Sequence, residues 1–204
     1  MKKILISLGG ECSSNIIEEL YDFQQVIAVD SGVDHLFNLN INPNVLIGDL
    51  DSIESESLEL VKKLGINIIQ SNTNKDKTDF ELALEYIEEK NNKEIYIIGG
   101  ENGEVDHLFS ILFLISSKDF YRNISWLYGN KKILINNSIK VKTSKNSEFS
   151  VLPLTDIKSL SISGAKWNLK NEDILCGQTL TLRNKTKENI LSVTCDEGKF
   201  ALIY

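Results

Sequence analysis

Acidic residues in this chain directly follow short apolar runs. Asp30 follows the run Val26 to Val29, and Asp49 and Asp51 follow the run Val45 to Ile47. If the runs are parallel strands, these carboxylates lie beyond the carboxyl ends of the strands, where open α/β sheets bind ligands. In an extended segment residues i and i+2 point the same way, which predicts that Asp49 and Asp51 face one hard cation such as Mg²⁺. The alternative for each residue alone is a solvated loop or an Asx turn; the whole set favours a site.

A second acidic cluster lies at a predicted helix start. Thr78 and Glu81 form a T-x-x-E capping box, and Asp79 lies in the first turn. A helix N-terminus has free N–H groups and a positive dipole end, which suit a phosphate. Plain helix capping explains Thr78 and Glu81 equally well. Asp106 lies beyond a further predicted strand, Ile95 to Ile98.

The remaining motifs are weaker. The glycine-bearing loop Gly99–Gly103 is neither a Walker A sequence nor a G-x-G-x-x-G fingerprint. The chain has two histidines, His35 and His107, so a histidine metal site is not expected. We find no serine or cysteine nucleophile motif.

Composition excludes several classes of protein. The net charge of −7 argues against general nucleic-acid binding, which needs a basic face, but not against ATP, because a bound divalent cation supplies positive charge. No run of about 18 apolar residues predicts a membrane span, and the N-terminal apolar segment reads as a buried strand rather than a signal peptide. Three scattered cysteines, Cys12, Cys176 and Cys195, favour reduced thiols and a cytoplasmic location.

The first part of the chain alternates strands and helices, which predicts an α/β domain with a parallel, doubly wound sheet. The predicted strands are Ile4–Leu8, Val26–Val29, Val45–Ile47, Ile66–Ile69, Ile95–Ile98 and Ile124–Tyr128. The predicted helices are Ser14–Asp22, Val33–Leu39, Ser55–Leu64, Thr78–Lys90 and Asp106–Ser117.

After Gly129 the pattern consists of short strands separated by polar turns, which predicts an all-β sandwich. The predicted strands are Ile133–Ile135, Ile139–Thr143, Glu148–Leu152, Ile157–Ser163, Thr179–Arg183, Ile190–Cys195 and Phe200–Tyr204. We therefore expect two domains, 1–129 and 130–204.

Four of these segments, in order, resemble signatures of the thiamine pyrophosphokinase family. The family motifs A-D-G-G, G-D-F-D-S, D-x-T-D and G-G-x-x-G-R-x-D-H correspond to Val29–Gly32, Gly48–Ser52, Asp76–Asp79 and Gly99–His107. Later segments are similar to further signatures of the family. They are Val151–Leu154, Ser163–Leu169 (G-x-K-W/Y-x-L) and Thr181–Asn184 (S-x-S-N). The resemblance covers nearly the whole chain.

The resemblance implies an ATP-binding α/β catalytic domain, a thiamine-binding and dimerisation β-sandwich, and a homodimer with the thiamine cleft between subunits. It assigns Mg²⁺ and the phosphates to Asp49, Asp51 and Asp79, which would be the catalytic residues. It places the nucleotide against Asp30, Asp76, Thr78 and Asp106. It assigns thiamine contacts in the partner subunit to the Thr181–Asn184 motif and to Trp167, a suitable surface for a thiazolium cation.

Three positions depart from the family pattern. Glu104 stands where the family has an arginine, Arg183 replaces the second serine of S-x-S-N, and Ser31 replaces a glycine. Lys75 or Lys77 is expected to supply the positive charge that Glu104 lacks, and so to contact ATP.

The expected reaction is attack of the thiamine hydroxyl on the β-phosphorus of ATP, which gives thiamine diphosphate and AMP. Phosphoryl-type transfer is mostly positioning and charge neutralisation, and the sequence leaves open whether Asp79 acts as a general base. Three alternatives stay open: a pyrophosphokinase acting on another alcohol, such as a pterin or thiamine analogue, a non-catalytic thiamine or nucleotide sensor, and a sugar-nucleotide transferase with a D-x-D motif.

Overall fold

A computed structural model of the chain describes residues 2–13, 22–71, 77–87, 93–117 and 123–204. It divides the chain into two compact units. The first unit contains residues 1–115 and 126–130, and the second contains residues 116–125 and 131–204. The predicted helix Ser14–Asp22 lies outside the described residues except for Asp22, and the predicted helix end at Lys90 is also outside them.

The first unit is built on a sheet with the strand order β6-β5-β1-β2-β3-β4. Its strands are β1 (Lys2–Ser7), β2 (Gln25–Val29), β3 (Val45–Gly48), β4 (Asn67–Gln70), β5 (Lys93–Ile98) and β6 (Ile124–Tyr128). The five strands from β5 to β4 pair in parallel. The apolar runs of β1, β2, β3 and β5 are buried, as expected for strands covered on both faces, whereas the edge strand β4 has two exposed and two half-buried residues.

Helices cover both faces of this sheet, which confirms the doubly wound prediction. They are α1 (Gly32–Asn38), α2 (Ser55–Leu64), α3 (Asp79–Ile87) and α4 (Val105–Ser117). Leu36 of α1 and Val61 of α2 pack with Leu5, Ala28 and Leu46 in one cluster. Helix α3 contacts β2 and β3 but contributes nothing to that cluster, so it lies on the other face. Among the described residues, no helix is long and apolar enough to span a membrane.

The order in which strands are added to the sheet reverses between β5 and β1. Strands β1 to β4 follow one another in one direction, and β5 then pairs with the opposite edge of β1. The loops that follow β1 and β5 are joined here by backbone hydrogen bonds, including one of 2.7 Å from Gly100 N to Gly9 O.

The second unit is a sandwich of two antiparallel sheets, as predicted. The strand orders are β12-β9-β14-β7 and β11-β10-β13-β8. The strands are β7 (Lys131–Asn136), β8 (Ser138–Lys142), β9 (Glu148–Pro153), β10 (Ile157–Ser163), β11 (Leu169–Ile174), β12 (Asn184–Lys185), β13 (Ile190–Thr194) and β14 (Phe200–Ile203). Side chains of both sheets, such as Phe149, Phe200, Leu160 and Leu191, form one buried core.

Two details of the sandwich differ from the sequence prediction. Residues Thr179–Arg183 do not form a strand but a series of turns that precedes the short β12. Leu180 is 67% exposed whereas the neighbouring Thr181 is 2% exposed, so the polar residue of the alternating pattern faces the interior. The polar strand β11 was not predicted, because four consecutive residues in it are exposed and its pairing with β10 has register shifts.

Candidate active site

Asp30, Asp49 and Asp51 lie at the carboxyl ends of β2 and β3, as the sequence predicts. The backbone N–H of Asp30 donates to Ile47 O at 3.0 Å, which ties the ends of the two strands together. A Cβ atom at Gly48 would overlap the Asp30 carboxylate, and Gly48 has φ +154°. A glycine is therefore needed at the first position of the G-D-x-D-S segment so that Asp30 can lie beside it.

A turn, rather than an extended segment, brings Asp49 and Asp51 together. Leu50 has φ +73°, in the left-handed region, and the backbone N–H of Asp51 donates to Asp49 Oδ1 at 3.2 Å. The predicted i, i+2 geometry is thus wrong in detail, and the Asx-turn alternative describes the backbone. A leucine in this conformation costs on the order of 1–2 kcal/mol, and strained backbone of this kind clusters at functional sites.

Asp79 joins this group from the start of α3. The Ser71 hydroxyl donates to Asp79 Oδ1 at 2.7 Å, and Ser71 N donates to Gly48 O at 2.9 Å. Ser71 therefore connects the end of β4 to the end of β3 and orients Asp79. Ser71 was not among the predicted site residues, although its position two residues after the predicted strand Ile66–Ile69 was an available signal. The Thr78 hydroxyl accepts from Glu81 N at 3.1 Å, which is one half of the predicted capping box.

The pKa values of two of these carboxylates are raised, in part by the negative charges of the others. The pKa of Asp30 is raised to about 7, mainly by burial and then by the charge of Asp79, with a smaller contribution from Asp49. The pKa of Asp51 is raised mainly by its hydrogen bond to the Asp49 side chain and by the Asp49 charge. We call Asp30, Asp49, Asp51 and Asp79 the carboxylate cluster. A cation bound here would relieve this repulsion.

The donor atoms of the carboxylate cluster fit a magnesium–nucleotide complex better than a closed protein metal site. Within the described residues, no three acidic, histidine or cysteine side chains form a ready metal-binding group. Mg²⁺ takes oxygen ligands and is commonly bound through one or two carboxylates together with substrate phosphates and water. The hard carboxylate oxygens of the cluster provide that kind of donor set.

Other predicted nucleotide-site residues are placed differently. Asp106 is exposed at the start of α4, and its Oδ1 accepts from His107 N at 2.9 Å. Strand β5 is three strands away from β3, roughly 14 Å at ordinary strand spacing, so Asp106 belongs to a different part of the sheet edge. Lys75 and Asp76 lie outside the described residues. The amine of Lys77 lies 2.7 Å from a Glu85 carboxylate oxygen.

The glycine loop after β5 is anchored by a buried carboxylate. Glu101 is 4% exposed, and it accepts hydrogen bonds from Ser13 N at 2.9 Å and from the Ser13 hydroxyl at 2.6 Å. Glu101 thus holds the loop that follows β1 against the loop that follows β5. Glu104, the residue at the family arginine position, is exposed just before α4.

In the second unit, two of the four predicted thiamine-site residues are engaged by their own chain. Thr181 donates its hydroxyl to Val151 O at 2.6 Å. Asn184 is 6% exposed; its Nδ2 donates to Trp167 O at 2.7 Å and its Oδ1 accepts from Trp167 N at 3.3 Å. Trp167 is 55% exposed. Arg183 is also exposed, and its guanidinium lies 3.8 Å from a Glu148 carboxylate oxygen.

Comparisons with known proteins match two family models to successive segments of the chain. The family model "Thiamin pyrophosphokinase, catalytic domain" matches residues 18–126, and "Thiamin pyrophosphokinase, vitamin B1 binding domain" matches residues 136–200. The thiamine pyrophosphokinase of Bacillus subtilis is 30% identical over 195 residues, which cover 91% of this chain and 90% of the relative.

Two solved structures of thiamine pyrophosphokinases have the same fold as this chain. The crystal structure of thiamine pyrophosphokinase from Bacillus subtilis matches with a TM-score of 0.85 at 25% identity, covering 99% of this chain and 98% of that one. The thiamin pyrophosphokinase structure from Geobacillus thermodenitrificans shares the fold, with a TM-score of 0.80 at 24% identity and coverage of 98% and 96%. The family models together with the Bacillus subtilis relative show that the chain belongs to the thiamine pyrophosphokinase family.

Proposed function

We infer that this chain is an enzyme that transfers the diphosphate group of ATP to the hydroxyl of thiamine, giving thiamine diphosphate and AMP. The observation that carries this inference is the carboxylate cluster, which lies at the carboxyl edge of the sheet inside the segment that matches the family's catalytic domain. Repulsion among the carboxylates of the cluster destabilises the fold. A cation bound to polyphosphate would offset this repulsion.

We propose that Asp49, Asp51 and Asp79 hold Mg²⁺ and that Asp30 completes the acidic edge. When bound, Mg²⁺ would neutralise charge on the phosphate oxygens as a Lewis acid. The Asx turn at Leu50 presents Asp49 and Asp51 together, and Ser71 fixes the rotamer of Asp79. Asp79 is the first residue of α3, and the positive dipole end of a helix N-terminus suits a phosphate oxygen.

The wider nucleotide site is also a proposal. Thr78 directly precedes α3, Lys75 and Asp76 come shortly before it in the sequence, and Asp106 is the second residue of α4. These residues would contact ATP away from the reacting phosphorus, where they position the nucleotide. Asp79 would orient the attacking hydroxyl as well as the cation. Positioning of this kind is the main part of catalysis in phosphoryl-type transfer.

For thiamine, we propose Trp167 as the direct contact and Asn184 as its support. The exposed indole gives a cation–π surface for the thiazolium ring, and Asn184 fixes the backbone of Trp167 on both sides. Thr181 anchors the following turn to β9. Arg183 extends from that turn with φ +54°, where its exposed side chain can reach a ligand.

We propose a homodimer in which the thiamine site is shared between the two subunits. The support is the family resemblance together with exposed apolar side chains. On α4, Val105, Phe109 and Phe113 are 64%, 52% and 70% exposed, and their spacing of four residues places them on one helix face. An apolar stripe of this kind marks an interaction surface. Sedimentation should give a dimer, and a fully active monomer would contradict the shared site.

We also propose that the enzyme is cytoplasmic and has no nucleic-acid or membrane partner. Its support is the acidic net charge of −7 and the three free cysteines of the described residues, Cys12, Cys176 and Cys195. Free thiols are typical of reducing compartments.

The test of the function is a coupled assay for AMP release with ATP and Mg²⁺, run with thiamine, with a pterin alcohol and with no acceptor. We expect AMP release to depend on thiamine and thiamine diphosphate to form in equal amount. AMP release that is independent of thiamine, or that is faster with the pterin, would contradict the proposed substrate. The Asp49→Asn variant is the control for activity from contaminating enzymes.

A further inference from the structure

The Trp167 ring already has a cation on one face. The Lys166 ammonium lies 4.5 Å from the centroid of the indole, within the range of about 6 Å in which a cation is attracted to an aromatic face. Lys166 makes no ion pair with any other residue that the structure describes. The ring is therefore the one charge-binding partner of this ammonium in the described part of the chain.

The turn that carries both residues is fixed at several points. Gly164 has φ +82°, and a Cβ there would overlap Ile190 O. Lys166 N donates to Lys185 O at 2.7 Å, and Asn184 bonds both backbone groups of Trp167. The backbone that carries the indole is consequently held in place, whereas the exposed four-carbon stem of Lys166 is free to rotate away.

This arrangement has a consequence for a cationic ligand. Two positive charges cannot share one aromatic face without repulsion, so a thiazolium ring that stacks there must displace the ammonium. A cation–π contact at an exposed site is worth about 0.5–1 kcal/mol, which corresponds to roughly a two- to fivefold change in affinity.

We propose that Lys166 is a specificity-determining residue that competes with the thiazolium ring for the face of Trp167 and so lowers the affinity for thiamine. This inference rests on the proposed function, because it takes Trp167 as the thiamine contact. It goes further in assigning Lys166 a role opposite to that of a binding residue. A ligand without a permanent positive charge does not experience the Coulombic part of this competition, so Lys166 also reduces discrimination in favour of thiamine.

The experiment compares the Lys166→Met and Lys166→Arg variants with the parent by isothermal titration with thiamine. Methionine keeps an unbranched stem and removes the charge, whereas arginine keeps the charge. We expect the Kd for thiamine to fall about two- to fivefold in Lys166→Met and to stay within about twofold of the parent in Lys166→Arg. Lys170→Met is the matched control, because Lys170 is exposed on the adjacent β11 and the net charge changes equally.

A second ligand isolates the electrostatic contribution to the change in affinity. The neutral alcohol 4-methyl-5-(2-hydroxyethyl)thiazole has no quaternary nitrogen, and its affinity should not increase in Lys166→Met by the factor seen for thiamine. An unchanged or weaker thiamine affinity in Lys166→Met, or an equal gain in Lys170→Met, would overturn the inference while leaving the proposed function intact. Absence of thiamine binding to the parent protein would instead contradict the proposed function.

Discussion

The candidate residues of the two units are held in opposite ways. In the first unit, the pKa of Asp30 is raised by burial and by the charge of Asp79, and the pKa of Asp51 is raised by its hydrogen bond to Asp49 and by the Asp49 charge. In the second unit, Asn184 and Thr181 are buried and hydrogen-bonded to backbone groups of their own chain. Residues that keep an unfavourable interaction indicate a binding site, whereas residues whose hydrogen bonds are made inside the chain indicate support of the fold.

This comparison divides the family motifs into two kinds. We propose that the acidic motifs of the first unit supply side chains to a ligand directly. The S-x-S-N-like motif of the second unit contributes mainly through Asn184, which acts on the neighbouring Trp167 turn. A motif in a sequence can therefore mark either a ligand contact or the support behind one, and burial with hydrogen bonding separates the two.

The largest effect is expected at the carboxylate cluster. Asp49→Asn or Asp51→Asn removes one negative charge from the proposed Mg²⁺ site, and kcat should fall on the order of a hundredfold or more, because metal stabilisation is worth several kcal/mol. The measurement is steady-state AMP release at saturating Mg²⁺. Glu54→Gln is the matched control, since this exposed acid lies in the same loop. Near-normal turnover in both aspartate variants would rule out their proposed role.

The second effect separates fold support from ligand contact in the sandwich unit. Asn184→Ala leaves the N–H and C=O of Trp167 without their partner, and should lower the free energy of unfolding by about 1–3 kcal/mol. Trp167→Ala should weaken thiamine binding with a smaller loss of stability, because the indole is more than half exposed. Urea denaturation and thiamine titration of both variants provide the measurement. If Asn184→Ala loses thiamine binding without any change in stability, Asn184 is a ligand contact instead.

Much of this architecture could be predicted from sequence, for a physical reason. Most strands of the first unit's sheet are continuous apolar runs because both of their faces are buried, and all six strands of this sheet were predicted close to their observed bounds. The acidic residues that follow them could be assigned to one sheet edge for the same reason. Strand β11 could not be predicted, because it has four consecutive exposed polar residues and irregular pairing with β10.

Tertiary interactions determine the structural features that the sequence pattern did not predict. Thr179–Arg183 has the alternation of a strand, but the Thr181 hydroxyl bonds to Val151 O and the chain turns. Asp49 and Asp51 are close because Leu50 adopts a left-handed conformation, which no spacing rule indicates. Ser71 and Asp79 lie eight residues apart, and their hydrogen bond depends on the close approach of β4 and α3.

The third prediction concerns stability and pH. The pKa of Asp30 is raised to about 7 by burial and the charge of Asp79, so the folded state holds this proton more tightly than the unfolded state does. The resulting loss of stability is absent below the unfolded pKa of about 4, grows as the pH rises, and is complete above about pH 7. Asp30→Asn should therefore raise the Tm of the metal-free protein at pH 8, with little difference from the parent at pH 4.

Added Mg²⁺ provides the control for this prediction. A cation bound to the cluster offsets the repulsion in the parent, so the Tm advantage of Asp30→Asn at pH 8 should shrink when Mg²⁺ and a non-hydrolysable ATP analogue are present. Asparagine keeps an oxygen for the hydrogen bond from Leu50 N. A variant that is less stable than the parent at pH 8 would contradict the repulsion.

The smallest effect is expected at Glu104, where the family carries an arginine. Glu104 is exposed at the residue before α4, and its carbonyl accepts from Leu108 N at 3.2 Å. A negative side chain at a helix N-terminus is favourable by about 0.3–1 kcal/mol, which gives Glu104 a structural role apart from ATP. We expect Glu104→Arg to change the KM for ATP by less than about tenfold, which is less than about 1.4 kcal/mol of binding.

Variants of Lys75 and Lys77 test whether either lysine supplies the positive charge that the family arginine would provide. Lys77 pairs with Glu85 at 2.7 Å, so Lys77→Ala should have less effect on the KM for ATP than Lys75→Ala, if Lys75 contacts the phosphates as proposed. Steady-state kinetics at fixed Mg²⁺ on Glu104→Arg, Glu104→Gln and both lysine variants provides the test. Glu104→Gln removes the charge without adding a cation, so it separates relief of repulsion from a new phosphate contact. A large decrease in KM for Glu104→Arg, with parent-like behaviour of both lysine variants, would show that the missing arginine is uncompensated. The nucleotide that this site prefers would then have to be identified by a substrate screen.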